Sequence, residues 1–198
     1  MEKRLAMRIV GKTPLLTHNP ASMGQRPTKA TKNKTIPTPE EEAALGAYRL
    51  DDGCCAVPAA GIRNAMVAAA AAFKAPRGRG SIKGIFAHIM VEPELVPILD
   101  ADGNRQSEYT IDSRRAVVQG NGIIRSRPKF EAWSADFDVL YDPDLITDED
   151  IFKAVLTDAG NRIGIGDYRP QKTGWFGRFN VAEREQPRVS SRGKASRG

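Results

Sequence analysis

The chain has 198 residues, 40% of them hydrophobic, which is enough to enclose one core and excludes wholesale disorder. Its 30 Lys and Arg exceed 24 Asp and Glu for a net charge of +6, and no apolar run approaches the ~20 residues a membrane helix needs. The two cysteines, Cys54 and Cys55, are adjacent, so a disulfide framework and a structural zinc finger are excluded, and a reducing, cytoplasmic setting is expected.

Residues 4–10 alternate, with Leu5, Met7 and Ile9 on one face and Arg4 and Arg8 on the other, as in a strand; no signal peptide is expected in so charged an opening. Thr13-Pro14 ends it. Residues 17–37 read as a long exposed loop. Pro39 and Glu40, Glu41 and Glu42 open a short helix. Tyr48–Leu50 and Cys54–Val57 flank Asp51-Asp52-Gly53 as a small hairpin. Ile62, Met66, Ala69 and Phe73 fall at helical spacing, and the alanine run 68–72 permits close packing.

Residues 85–98 are rich in β-branched and apolar side chains and predict a strand interrupted or bent near Pro93, with His88 part buried within it. Residues 100–128 predict a projecting hairpin that turns at Gln119-Gly120-Asn121-Gly122 and carries arginines on both arms. Phe130–Tyr141 alternates again. A helix over 148–159 has Thr147 as its cap and Gly160 as its stop. Trp175–Val181 supplies the last strand, and the tail from 186 has almost no core-forming residues and is expected to be disordered. The order strand, helix, strand, strand, helix, strand predicts an α+β, ferredoxin-like (RRM-like) βαββαβ domain over residues 1–185, with a 17–57 insertion and the 100–128 hairpin.

Charge is segregated. Segments 20–37, 74–83, 113–129, 160–180 and 186–198 hold 21 bases and one acid, Asp167; the other 119 residues hold nine bases and 23 acids. Basic loops on an acidic scaffold predict a polyanion-binding surface. The strongest motif runs from Gly160 to Phe179, with glycines at 160, 164, 166, 174 and 177 and bases at 162, 169, 172 and 178. Glycine lets backbone amides approach an anion. The loop follows a helix instead of opening one, so it is neither a P-loop nor a dinucleotide fingerprint. Trp175 and Phe176 offer stacking faces for bases, or else Trp175 and Phe179 are core residues of the last strand. Asp167 is read as orienting Arg169 or capping a turn. The acids Asp142, Asp144, Asp148, Glu149 and Asp150 lack calcium-loop spacing, so no metal and no cofactor is expected.

Four features together resemble the RAMP superfamily of CRISPR proteins, particularly the guide-RNA-binding backbone subunits of effector complexes. They are the first strand running into Thr13-Pro-Leu-Leu-Thr-His18, the helix entry Val57-Pro58-Ala59-Ala60-Gly61-Ile62-Arg63, the hairpin as a thumb, and Gly164-Ile-Gly166…Arg169…Gly174-Trp-Phe-Gly177-Arg178 as the C-terminal glycine-rich loop. The resemblance spans most of residues 4–181. It implies a protein that holds single-stranded guide RNA across an RRM-like sheet, multimerises along it and meets other effector subunits. The thumb would wedge between bases while basic loops clamp phosphates.

The phosphate contacts it implies are Arg26, Lys29, Lys32 and Lys34 in the first loop and Arg114, Arg115, Arg125 and Arg127 in the thumb. Arg169, Lys172 and Arg178 follow in the last loop, beside the amides of Gly164, Gly166, Gly174 and Gly177, with Arg63 as a central contact and Trp175 as a stacking face. His18 is read as an RNA contact, or as the proton-moving group of a metal-independent endoribonuclease, as in some members of the superfamily. The sequence departs from the pattern in three ways: RRM stacking aromatics are absent, the 17–57 insertion has no match, and residues 17–38 contain no acid, against a slicing aspartate. A phage-borne relative that binds single-stranded DNA is the other reading.

Overall fold

A computed structural model describes residues 2–20, 37–75, 80–118 and 121–184. The first-loop cations Arg26, Lys29, Lys32 and Lys34, the Arg77–Arg79 turn, Gln119-Gly120 and the 186–198 tail lie outside the described residues.

Strand β1 (Lys3–Gly11) buries Met7 and Ile9 and turns Arg4 outward, as its alternation dictates. It pairs antiparallel with β9 (Ser134–Tyr141) on one side and β10 (Phe179–Ala182) on the other, and β5 (Met90–Glu92) pairs antiparallel with β9. The resulting four-stranded sheet has the order β10-β1-β9-β5. Helix α2 (Ala59–Ala69) joins β1 to β5 in sequence and α4 (Asp150–Asp158) joins β9 to β10. Ile62, Met66 and Ala69 of α2 and Phe152, Val155 and Leu156 of α4 share one core with Met7, Ile9, Phe137, Val139 and Tyr141 of the sheet. Phe152 is wedged between Tyr141 (4.8 Å between ring centroids) and Phe86 (5.3 Å).

Two smaller antiparallel sheets flank this layer. Helix α1 (Pro39–Gly46) opens with a capping box between Thr38 and Glu41, in which each side chain receives the other's backbone N–H. β3 (Tyr48–Arg49), β4 (Cys55–Pro58) and β6 (Leu95–Pro97) form one sheet; β2 (Leu15–Leu16), β8 (Asn121–Phe130) and β7 (Thr110–Val118) form the other. The protein is thus α+β with antiparallel sheets and, among the described residues, four helices. None of these is long and apolar enough to cross a membrane.

Several boundaries differ from the sequence reading. Residues 83–86 form a helical turn, α3 (Lys83–Phe86), because Ile82, Phe86 and Ile89 all face the core at helical spacing. His88 is exposed in the turn that follows, not part buried in a strand. The strand predicted over 85–98 is interrupted at Pro93, one of the two forms the sequence allows, and β6 beyond it joins a different sheet from β5. The alternating run 130–141 is two elements: Phe130 ends β8 and, three residues on, Trp133 is buried with its indole N–H donating to Thr13 O at 2.9 Å. Thr147 does not cap α4; the cap position is Glu149, and Asp148 receives the Asp150 N–H at 3.0 Å. Gly160 does not stop that helix either. The backbone continues through a π turn (Ala159–Ile163) to Gly164, whose φ of 70° ends it. The last strand starts at Phe179, so Phe179 is core and Trp175 is not.

Candidate nucleic-acid interface

The glycine loop, residues 160–178, is threaded against β2 and the end of β1. The Asp167 N–H donates to Leu16 O, the Gly177 N–H to Pro14 O and the Lys12 N–H to Arg178 O, each at 2.8 Å. Its glycines are required by close approach. A Cβ at Gly166 (φ 75°) would lie 2.3 Å from Leu16 O, and one at Gly177 (φ 66°) 1.9 Å from Ile165 O. The amides of Gly164, Gly174 and Gly177 donate to Ala159, Arg169 and Pro14 carbonyls, so they hold the loop's own shape and are not presented to an anion.

This path carries Trp175 outward. Its side chain is 68% exposed, while the adjacent Phe176 is buried, the two rings meeting at 68° with 6.2 Å between centroids. Thr13 Oγ1 donates to Trp175 O at 2.8 Å and accepts the Arg178 N–H at 3.1 Å, fixing the turn on both sides of the indole. The Arg114 guanidinium, on β7, lies 4.7 Å from the Phe176 ring centroid and 5.6 Å from that of Tyr168. Thr13, Pro14, Arg114, Lys129, Trp175, Phe176 and Arg178 line one open cleft of about 510 Å³. Tyr168 had no mark in the sequence; the near-repeat of aromatics at 168, 175 and 176 was the available signal.

The hairpin cations divide by burial. Arg125 is 4% exposed and pairs with Glu42 of α1 at 3.1 Å; the other Glu42 oxygen receives the Ser126 N–H. Arg127 is 5% exposed, with Nε 2.6 Å from Asp167 Oδ2 in an ion pair lying off the hydrogen-bonding axis, and its guanidinium sits 4.9 Å from the Tyr168 ring centroid. Asp167 therefore faces Arg127, not Arg169. Arg114 is held by Asp112, which raises its already high pKa through side-chain hydrogen bonds. Arg63 donates Nε to Ile89 O at 2.8 Å and Nη2 to Ala87 O, tying α2 to the turn after α3. Arg63, Arg125 and Arg127 build the fold; Arg114, 34% exposed, and Lys129, 25% exposed and paired with Glu131 at 2.6 Å, keep a face on the cleft. Arg115, Lys172 and Arg178 are exposed, and Arg169 bonds Gly166 O and Gln171 Oε1 beside the loop.

The face of the main sheet opposite the helices is self-neutralised. Arg4 bonds Glu92 and Asp138, Arg8 lies 2.8 Å from Asp136, and Arg184 bonds Asp138. Three guanidiniums facing three carboxylates present no net field to a polyanion.

His18 lies outside the Trp175 cleft. It lines a cavity of about 280 Å³ with Thr17, Tyr48, Val57, Pro58, Gly61, Asn64, Ile165, Gly166, Asp167 and Arg169. Tyr48 donates its hydroxyl to His18 O at 3.4 Å, and burial raises its phenol pKa. Among the described residues no group of three or more His, Cys, Asp or Glu is arranged to hold a metal ion. No protein-family model and no curated protein sequence matches the chain.

Proposed function

We propose that this protein binds single-stranded nucleic acid, RNA first, in the cleft between the glycine loop and the β7–β8 hairpin. The observation that carries the reading is Trp175, 68% exposed on a loop that its own hydrogen bonds hold rigid, with Arg114, Lys129 and Arg178 lining the same cleft. An indole offers a stacking face to any base, worth ~1–3 kcal/mol, and flanking cations take the phosphates. The sheet order β10-β1-β9-β5, with helices in both crossovers, supports reading the core as ferredoxin-like, with the hairpin as its thumb. On this reading the chain acts as a RAMP-type backbone subunit that multimerises along guide RNA with other effector subunits. The strand runs along the glycine-loop end of the domain, because the open face of the sheet is neutralised by its own ion pairs.

The test is binding of a fluorescein-labelled 12-nucleotide RNA, followed by anisotropy, for the wild type and Trp175→Ala, together with sequencing of nucleic acid that copurifies. Saturable binding by the wild type, weakened by the substitution, supports the reading. Equal binding by both proteins, or none, removes it.

A further inference from the structure

The cavity beside His18 shares the glycine loop with the Trp175 side of the domain: Asp167 and Arg169 line the cavity, while Tyr168 between them lines a second hollow with Arg114, Trp175 and Phe176. At about 280 Å³ it is below the usual range for drug-sized ligands and suits a single heterocycle. Its walls are apolar at Val57, Pro58 and Ile165, with one aromatic ring at Tyr48. Gly61, in the first turn of α2, adds open space: a Cβ built there meets nothing within 4 Å.

The polar groups around it are mostly committed. Thr17 Oγ1 bonds Gly46 O, Asp167 pairs with Arg127, and the Arg169 guanidinium bonds Gly166 O and Gln171. Asn64 is the exception, for its exposed side-chain amide makes no hydrogen bond among the described residues. An amide that offers one donor and one acceptor to an apolar slot has the form of a base-edge reader.

We infer that this cavity receives one unstacked purine of the bound strand, adenine first, read by Asn64. Adenine follows from which group is uncommitted. An amide pairs bidentately with adenine's adjacent donor and acceptor, whereas guanine is the partner of a guanidinium, and that of Arg169 is engaged. Asp167 and Arg169 are two Cα steps apart, roughly 7 Å, with Tyr168 between them, so a base stacked on Trp175 and a base in the cavity would both lie against this one loop. This inference rests on the single-strand reading above and adds to it a site of base preference.

The experiment compares a 12-nucleotide oligouridine with the same strand carrying single adenines, by anisotropy, for the wild type, Asn64→Ala and Gly61→Leu. Gly61→Leu fills the cavity from a helical position where leucine is favoured over glycine, so it keeps the fold. The wild type is expected to prefer the adenine strand by about 5- to 150-fold. Both variants should lose that preference and keep the affinity and salt dependence for oligouridine. Oligouridine binding with no adenine preference, or a preference that survives both substitutions, overturns the pocket and leaves the single-strand reading standing. Failure of every strand to bind overturns both. If AMP alone raises the melting temperature of the wild type but not of Gly61→Leu, the occupant is a free nucleotide and the assignment to a strand is overturned.

Discussion

Arg127 Nε on the hairpin lies 2.6 Å from Asp167 Oδ2 on the glycine loop, and the Arg127 guanidinium sits over the neighbouring Tyr168 ring. One buried cation thus fastens the two elements that form the proposed cleft. Arg127 is 5% exposed, so removing its partner strands a charge in the interior. Asp167→Ala is expected to cost about 2–4 kcal/mol, somewhat under the ~3–5 kcal/mol of a fully buried pair because the Asp167 side chain is 33% exposed. Urea denaturation measures this. A loss below ~1 kcal/mol would place the pair among ordinary surface ion pairs.

Trp175→Ala should separate binding from stability. The indole is 68% exposed, so the melting temperature should stay near that of the wild type. Affinity for single-stranded RNA should fall by about 5- to 150-fold, the equivalent of ~1–3 kcal/mol of lost stacking. An unfolded variant would show instead that Trp175 belongs to the core.

Gly177→Ala should damage the loop severely. Its φ of 66° costs an alanine ~1–2 kcal/mol, and the added Cβ would meet Ile165 O at 1.9 Å, so the backbone itself must move. Gly61→Ala is the control, a helical position with open space, where alanine is expected to stabilise by up to ~1 kcal/mol. Chemical denaturation of the two variants should move in opposite directions.

Burial first, and then donation to the Glu149 carboxylate, push the Tyr141 phenol from 10.0 up to about 12. A raised folded-state value means that the contribution is intact below about pH 10 and is lost as pH rises toward about 12. The wild type should therefore lose stability across that window. Tyr141→Phe keeps the ring packing on Phe152 and should lose less over the same range in denaturation at stepped pH.

Much of the scaffold was readable in the sequence because it is set locally. Leu5, Met7 and Ile9 against Arg4 and Arg8, and Phe137, Val139 and Tyr141 against Asp136 and Asp138, are period-2 patterns with one burying face. The segment around Phe86 was not, since a short apolar run fits a buried helix and a strand equally well and only the position of Phe152 decides. The site was read less well, for a related reason. Arg125 and Arg127 look like surface cations until Glu42, 83 residues away, and Asp167, in another loop, are brought against them. Likewise, glycine spacing announces a special backbone without saying what lies opposite. Gly166 and Gly177 admit neighbouring carbonyls, an arrangement that depends on strands packed from distant parts of the chain. Trp175 was ambiguous between core and surface, and the late start of β10 at Phe179 resolved it.

The central claim is that exposed cations of the glycine loop and the hairpin hold the phosphates of a single strand whose base stacks on Trp175. Its most direct test is the salt dependence of anisotropy for a 12-nucleotide RNA between low and physiological salt. If the exposed Arg115, Lys172 and Arg178 each neutralise one phosphate, log affinity should fall against log salt with a slope of roughly −2. An affinity unchanged across that range would contradict the account.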